Sequence, residues 1–335
     1  MSARIRAFGT TRDGQVVHSV HISAGELRAT ILTYGGTLQD LRLAGTPWPL
    51  SLGAMSVAAY EGRFAYCGAI VGPVANRIAG AAALIGARRY GFAANEAGRT
   101  TLHSGPTGTH AQVWTISAAA DASLSLGLSL PDGLGGFPGN RDLRATFQIL
   151  APATLTLTLS ATTDAPTLMN LANHSYWNLD GAPSTAGHRL TIAADRYLPV
   201  DSALIPLEPV EVAGTTFDFR SGRLLDPEHA LDHNFCLSAA TRGLTEVARL
   251  CGTRGVTLRL ATTAPGLQVY DAGGLQTAPF AGLTGQPYGA NAGVALEAQH
   301  WPDAPGRRNF PPIRLEPGEF YEEITTFSFE RVEKG

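Results

Sequence analysis

Glu297 closes the apolar run Val294, Ala295, Leu296 inside GVALEAQHWPDA (293–304). A carboxylate placed by an apolar strand has limited solvation, and such groups usually have a partner or a chemical task. A second concentration of polarity is NLANHSYWNLDG (170–181), where amides and His174 occupy a stretch that reads as a strand. A strand that only packs carries Val, Ile or Leu on alternate positions. Four more polar sites stand out: Asn76 and Arg77 in VGPVANRIAG (71–80), His103 in TLHSG (101–105), Asp232 in DHNF (232–235) and Gln268 in LQVY (267–270). Taken singly, most have a plain structural explanation. An isolated His is more often a satisfied structural residue, an Arg can belong to a structural ion pair, and an Asp can close an Asx-turn. Glu297 is the hardest to explain that way.

The chemistry on offer is bounded by what is missing. No G-x-G-x-x-G follows a strand, and there is no P-loop, H-E-x-x-H or G-x-S-x-G. No Cys/His spacing of the zinc type occurs. Nothing in the sequence calls for NAD, ATP or a metal. With a formal net charge of -3 and no basic stripe, nucleic acid is not an expected partner. No run of about 18 apolar residues is present, so no membrane span is expected. Cys67, Cys236 and Cys251 are few and odd in number, which argues against a disulfide framework. The N-terminus lacks the apolar core of a signal peptide, so a reducing cytoplasm is the expected location. Asn173-His174-Ser175 fits a glycosylation pattern, which means little without secretion.

The elements that must position these residues are strands. SLSLGLSL (123–130), TLTLTLS (154–160), VTLRL (256–260) and LRATIL (27–32) alternate with period two, the pattern of antiparallel sheet with one buried face. Gly 38 and Pro 21 supply frequent turns, and long 3.6-period stretches are scarce. The Ala-rich piece 79–83 is short enough to be at most a brief helix. No linker or fixed-period repeat divides the chain, so residues 1–335 read as one mostly β domain, a sandwich rather than a parallel α/β sheet.

Taken together, the polar motifs resemble those of the aldose 1-epimerase (galactose mutarotase) family. GPVANRI is similar to the family's GRVANRI, LHSG to LHGG, NHSYWNL to NHSYFNL, DHNF to DHNF, and ALEAQHWPDA to its ALEPQHYPDA-like segment. TYGGTLQDL (33–41), GFPGN (136–140) and PGEFYEE (317–323) match as well, all in family order. The resemblance implies a large single-domain antiparallel β-sandwich of the galactose mutarotase type. It implies interconversion of the α and β anomers of free aldoses, galactose- or glucose-type hexoses and pentoses included. A small-molecule monosaccharide would be the partner, with no cofactor and no metal, and the chain would act as a monomer or homodimer.

Opening a sugar hemiacetal requires a base at the C1 hydroxyl and an acid at the ring oxygen; reclosure reverses both roles. The resemblance puts the base at Glu297, raised toward useful basicity by partial burial, and the acid at His174. An imidazole near its ordinary pKa of 6.5 would suit a step that runs both ways. His103 matches a second histidine that contacts the sugar. Asp232 would accept from hydroxyls, Asn76 and Arg77 would donate, and Gln268 would add a contact. Strand alternation puts Tyr176 beside His174 near the sugar and Trp177 in packing. The acid and base are expected to flank one sugar-sized gap. Pro73 replaces a common Arg, Ser104 a common Gly, and Asp271 to Gly274 depart from the family pattern, which bears on sugar preference. Two alternatives stand beside this reading. A hexose-6-phosphate mutarotase would need a cationic pocket, for which Arg63, Arg88 and Arg89 are scattered candidates. A non-catalytic carbohydrate-binding protein would have lost His174 or Glu297, and both are present.

Overall fold

The computed structural model describes residues 4–331. Nearly all regular structure there is β. Helical content is the four-residue helix Val57–Tyr60 and a few single turns. The alternating runs become strands: Leu27–Leu32, Ser123–Leu130, Thr154–Thr163 and Val256–Thr262. The Ala-rich piece forms one tight turn, Ala79–Ala81, and then a strand, Ala82–Ile85, rather than a helix.

Three sheets dominate, and strand pairings within them are antiparallel. A four-stranded sheet takes the N-terminal strands in order, from Arg4–Thr10 to Thr37–Leu43. A nine-stranded sheet runs through Arg141–Leu150, Thr154–Thr163, Tyr321–Arg331 and Val256–Thr262. A six-stranded sheet is ordered Tyr176–Trp177, Val294–Gln299, Gly266–Tyr270, Asp232–Cys236, Arg196–Leu198, Val210–Glu211. One continuous core joins their inner faces. Ile22 and Ile31 come from the first, Phe147, Leu157 and Phe327 from the second, Leu267, Val269 and Leu296 from the third. Each such side chain contributes roughly 1.5–3 kcal/mol on leaving water. This is the β-sandwich that the period-two pattern requires.

NLANHSYWNLDG is not one strand. Ala172–Asn173 pairs with Ile70–Val71, and Tyr176–Trp177 pairs with Val294–Gln299. The chain changes partner at His174 and Ser175. Its amides replace the ladder bonds that a break costs. Asn173 Nδ2 donates to the Gly68 carbonyl at 2.9 Å, and Asn178 Nδ2 donates to the Ala182 and Ala292 carbonyls at 2.7 Å each. Asn170 Oδ1 accepts from the His300 amide at 2.8 Å.

Candidate active site

The six-stranded sheet supplies one wall of a cavity of about 630 Å3, within the usual range for small-molecule sites. Register places its polar groups. Gln268 stands opposite Glu297, and Asp232 opposite Tyr270. Tyr176 stands opposite Ala295, two residues from Glu297 and on the same face. The facing wall carries Tyr66, Asn76 and His103 on loops and Arg77 on the short strand Arg77–Ile78. His174 is fixed at the sheet break by two backbone bonds of 2.9 Å, its amide to the Ala69 carbonyl and the Gly68 amide to its own carbonyl.

Glu297 and His174 lie deep, 2% and 5% exposed, with Glu297 Oε1 3.6 Å from His174 Nε2. They sit side by side rather than across a gap. Burial pushes the Glu297 carboxyl well above its ordinary value, with Asp232 adding and Arg77 opposing. Burial pushes His174 down to about 4. The pair therefore rests neutral, with one proton on the carboxyl. The expected imidazole near 6.5 is overturned because burial disfavours the charged imidazolium.

His103 and Asn76 hold each other. The Asn76 amide donates to His103 Nδ1 at 3.1 Å, and the His103 amide to the Asn76 carbonyl at 2.9 Å. Both residues have positive φ, 49° and 61°. Such backbone costs about 1–3 kcal/mol outside glycine, less for Asn, and persists where the surroundings enforce it. With Nδ1 accepting, the proton of neutral His103 is on Nε2, which makes that atom a donor. Burial, His174, His110 and Arg77 all push its pKa down, so the neutral form holds. His103, His174 and Glu297 bring ligand atoms within 4.8 Å of one another, a spacing a metal could use. A metal needs the Nε2 lone pair, and the Asn76 bond selects the opposite tautomer. The donor set thus fits hydrogen bonding to a hydroxyl better than metal ligation.

Arg77, 7% exposed, donates to Glu96 at 2.8 and 2.9 Å and reaches Asp232 at 3.5 Å. Burial works against its charge, but Glu96 and Asp232 outweigh it and its pKa is raised. Burial raises Asp232, against Arg77 and Gln268. Gln268 Nε2 donates to Asp232 Oδ1 at 2.6 Å.

Of the residues read from sequence, Glu297, His174, His103, Asn76, Arg77, Asp232 and Tyr176 line the cavity. Gln268 does not, and lies behind Asp232. Trp177 faces away, fully buried against Phe327 and Phe329. Of the scattered arginines only Arg63 reaches the cavity; Arg88 and Arg89 sit on the strand Arg88–Gly91, outside it. Two participants escaped the sequence. Tyr66 places its ring 4.7 Å from His103, 4.8 Å from His110 and 6.2 Å from His174. Glu96 anchors Arg77 from a loop whose sequence, AANEAGRT, carries no distinguishing signal.

Comparison with known proteins matches residues 18–328 to the family profile "Aldose 1-epimerase". The chain belongs to the aldose 1-epimerase family. It is 35% identical to the galactose mutarotase of Mus musculus, covering 94% of this chain and 95% of that protein. It is 34% identical to the aldose 1-epimerase of Escherichia coli (strain K12), over 90% and 91%. Among solved structures it superposes on an aldose epimerase homologue from C. elegans with a TM-score of 0.87 at 30% identity, covering 94% of this chain and all of that one. An aldose 1-epimerase is an isomerase acting on carbohydrates, so the chain is an enzyme with sugar substrates. No helix among the described residues is long and apolar enough to cross a membrane.

Ser104 and Asp271, at two of the departures from the aldose 1-epimerase pattern, have local explanations. Ser104 has φ 63°, the region glycine favours, and keeps it by bonding Val74 through both amide (2.8 Å) and carbonyl (3.0 Å). Asp271 ties the cavity rim, accepting from the Leu231 amide at 2.9 Å and the Gly273 amide at 2.8 Å.

Proposed function

We propose that Glu297 and His174 exchange one proton through the sugar to open and reclose the ring of a free aldose. The observation that carries this is their 3.6 Å separation at the closed end of the cavity. The C1 hydroxyl oxygen and the ring oxygen are both bonded to C1, so acid and base must stand close together. Opening begins with the proton on His174. Sugar hydroxyls displacing water stabilise the charged forms and draw the proton from carboxyl to imidazole. Glu297 takes the C1 hydroxyl proton, the C1 carbonyl forms, and the C1–ring oxygen bond breaks as His174 protonates the leaving oxygen. The pair is then neutral again, its resting form. Rotation about C1–C2 presents the other face, and reclosure runs the transfers backward.

His103 Nε2 donates to a hydroxyl near the reacting end. Asp232, held by Gln268 and Arg77, accepts from hydroxyls toward the cavity mouth, and Arg77 and Asn76 complete that wall. Gln268 acts through Asp232 rather than on the sugar. Tyr176 and Tyr66 give flat faces against the ring. Galactose- and glucose-type hexoses and pentoses all carry hydroxyls that such donors and acceptors can take. With Arg63 the only one of the three candidate arginines at the cavity, a phosphorylated sugar is disfavoured. Residues 1–335 act as one unit in this scheme.

The test is polarimetry on freshly dissolved α-anomers of galactose, glucose, xylose and arabinose, with glucose 6-phosphate alongside. Acceleration of the free sugars is expected. No acceleration with any of them would refute the proposal, and preference for the phosphate would move it to the phosphorylated branch.

A further inference from the structure

Glu323 is a buried carboxyl that the scheme above does not use. It lies in PGEFYEE, on the strand Tyr321–Arg331 of the nine-stranded sheet, and is 4% exposed. It faces a small cavity of about 10 Å3, lined by Leu157, Leu159, Leu296, Ala298, Thr325 and Asn173, with Phe327 beside them. Leu296 and Ala298 flank Glu297, and Asn173 precedes His174. The cavity is therefore the reverse side of the same two segments that present the proton-transfer pair.

Two features make that reverse side polar. Asn173 Nδ2 is used on the Gly68 carbonyl, while its Oδ1 is buried and has no hydrogen-bond partner among the described residues. Tyr321 accepts from the Leu171 amide at 3.1 Å and donates to Glu323 at 3.2 Å. The volume is that of one water, and Asn173 Oδ1, the Glu323 carboxyl and the Thr325 hydroxyl are partners enough to hold it.

We propose that Tyr321, Glu323 and Asn173, completed by one bound water, form a positioning network that holds His174 from behind. The proposal rests on the proton-transfer reading above. Tyr321 fixes Leu171, and Glu323 fixes the Asn173 amide through the water. Asn173 in turn clamps the Gly68 turn, whose amide bonds the His174 carbonyl. A neutral carboxyl keeps an unpaired charge out of this buried site, so the network holds while Glu323 keeps its proton. Burial pushes Glu323 up to about 8, against hydrogen bonds from Tyr321 and Thr325. Tyr321 is the titratable group facing it and is itself held neutral by burial. The other facing elements present Leu157 and Leu159, Leu296 and Ala298, Asn173, and Thr262 behind Thr325. Above pH 8 a charge appears behind His174 and the clamp loosens.

The test compares wild type, Glu323→Gln and Glu323→Leu for kcat and KM from pH 5 to 10, and for amide hydrogen exchange at Leu171 and His174. Wild-type kcat is expected to carry a decline centred near pH 8 that Glu323→Gln lacks, the amide keeping its shape and hydrogen bonds without ionising. Glu323→Leu is expected to lose kcat by about 10- to 100-fold, the effect of a misplacement remote from the chemistry, with KM within about threefold. Its exchange at Leu171 and His174 should quicken at least tenfold. Identical pH profiles for wild type and Glu323→Gln would overturn the proposal, and so would unchanged exchange in Glu323→Leu. If Glu323→Leu does not fold, the Glu323→Gln profile decides. If wild type accelerates no aldose, the functional reading fails, while exchange in Glu323→Gln between pH 7 and 9 still decides the network: protection should fall in wild type and hold in the variant.

Discussion

Replacing Glu297 with Gln should lower activity and raise stability together. The amide keeps the carboxyl's shape in a site 2% exposed, so the cavity wall stays in place. It cannot accept the C1 hydroxyl proton. In the proposed scheme Glu297 meets only the reacting end of the sugar, while Arg77, Asp232 and Asn76 hold the rest. KM should therefore stay within about threefold, and the loss should fall on kcat. A positioned base contributes about 10²–10⁴-fold, or roughly 3–5 kcal/mol of barrier. The stability arm follows from burial raising the carboxyl well above its ordinary value. A group raised in the folded state gives full stability below its unfolded pKa and loses it as pH climbs through the folded value. Gln has no such loss. The variant's Tm should match wild type near pH 4 and exceed it at pH 8. Polarimetry on α-galactose at saturating and sub-saturating sugar gives kcat and KM, and thermal melts at both pH values give Tm. Near-wild-type kcat would refute Glu297 as the base. A Tm below wild type at pH 8 would refute the neutral buried carboxyl.

Other outcomes follow from the same geometry. Activity should fall as pH drops below about 4, where His174 gains a proton while Glu297 keeps its own and no base remains; a kcat/KM profile without that limb contradicts the shared proton. Burial holds His110, His174, His233 and His300 near 4, below the unfolded value of 6.5, so stability present above pH 6.5 should be lost as pH falls toward 4, read as a declining Tm. Arg77→Met removes donors from Glu96 and Asp232, and sugar binding should weaken by about 1.5–3 kcal/mol, a KM rise of roughly 10- to 100-fold. Trp177→Ala should destabilise by about 3–5 kcal/mol and Trp177→Phe by much less, since the indole N–H has no hydrogen-bond partner among the described residues and the packing on Phe327 and Phe329 survives; chemical denaturation separates them.

The strands were legible because alternation reports burial directly: SLSLGLSL is a strand from its first residue to its last. The opposite faces of Tyr176 and Trp177 were legible for the same reason. The break at His174 was not, because a change of strand partner leaves the local pattern intact. Gln268 reads as a sugar ligand in one dimension; only the folded side-chain geometry, with its amide donating to Asp232, shows that it supports that carboxylate. Glu96 and Tyr66 depend on loop paths set by distant contacts. The pKa of His174 could not be read from residue types, since depth of burial belongs to the whole fold.

Gln268 and Glu297 face one another across two neighbouring strands, with Asn234 continuing the row. A slip of one residue between Gly266–Tyr270 and Val294–Gln299 would turn Glu297 inward and bring Leu296 or Ala298 to the cavity wall. A chain that closed its sheet wrongly would then be inert, not sloppy. Catalytic competence is in this sense a checksum on assembly: an activity measurement on refolded material counts molecules with correct register, at a resolution of one residue.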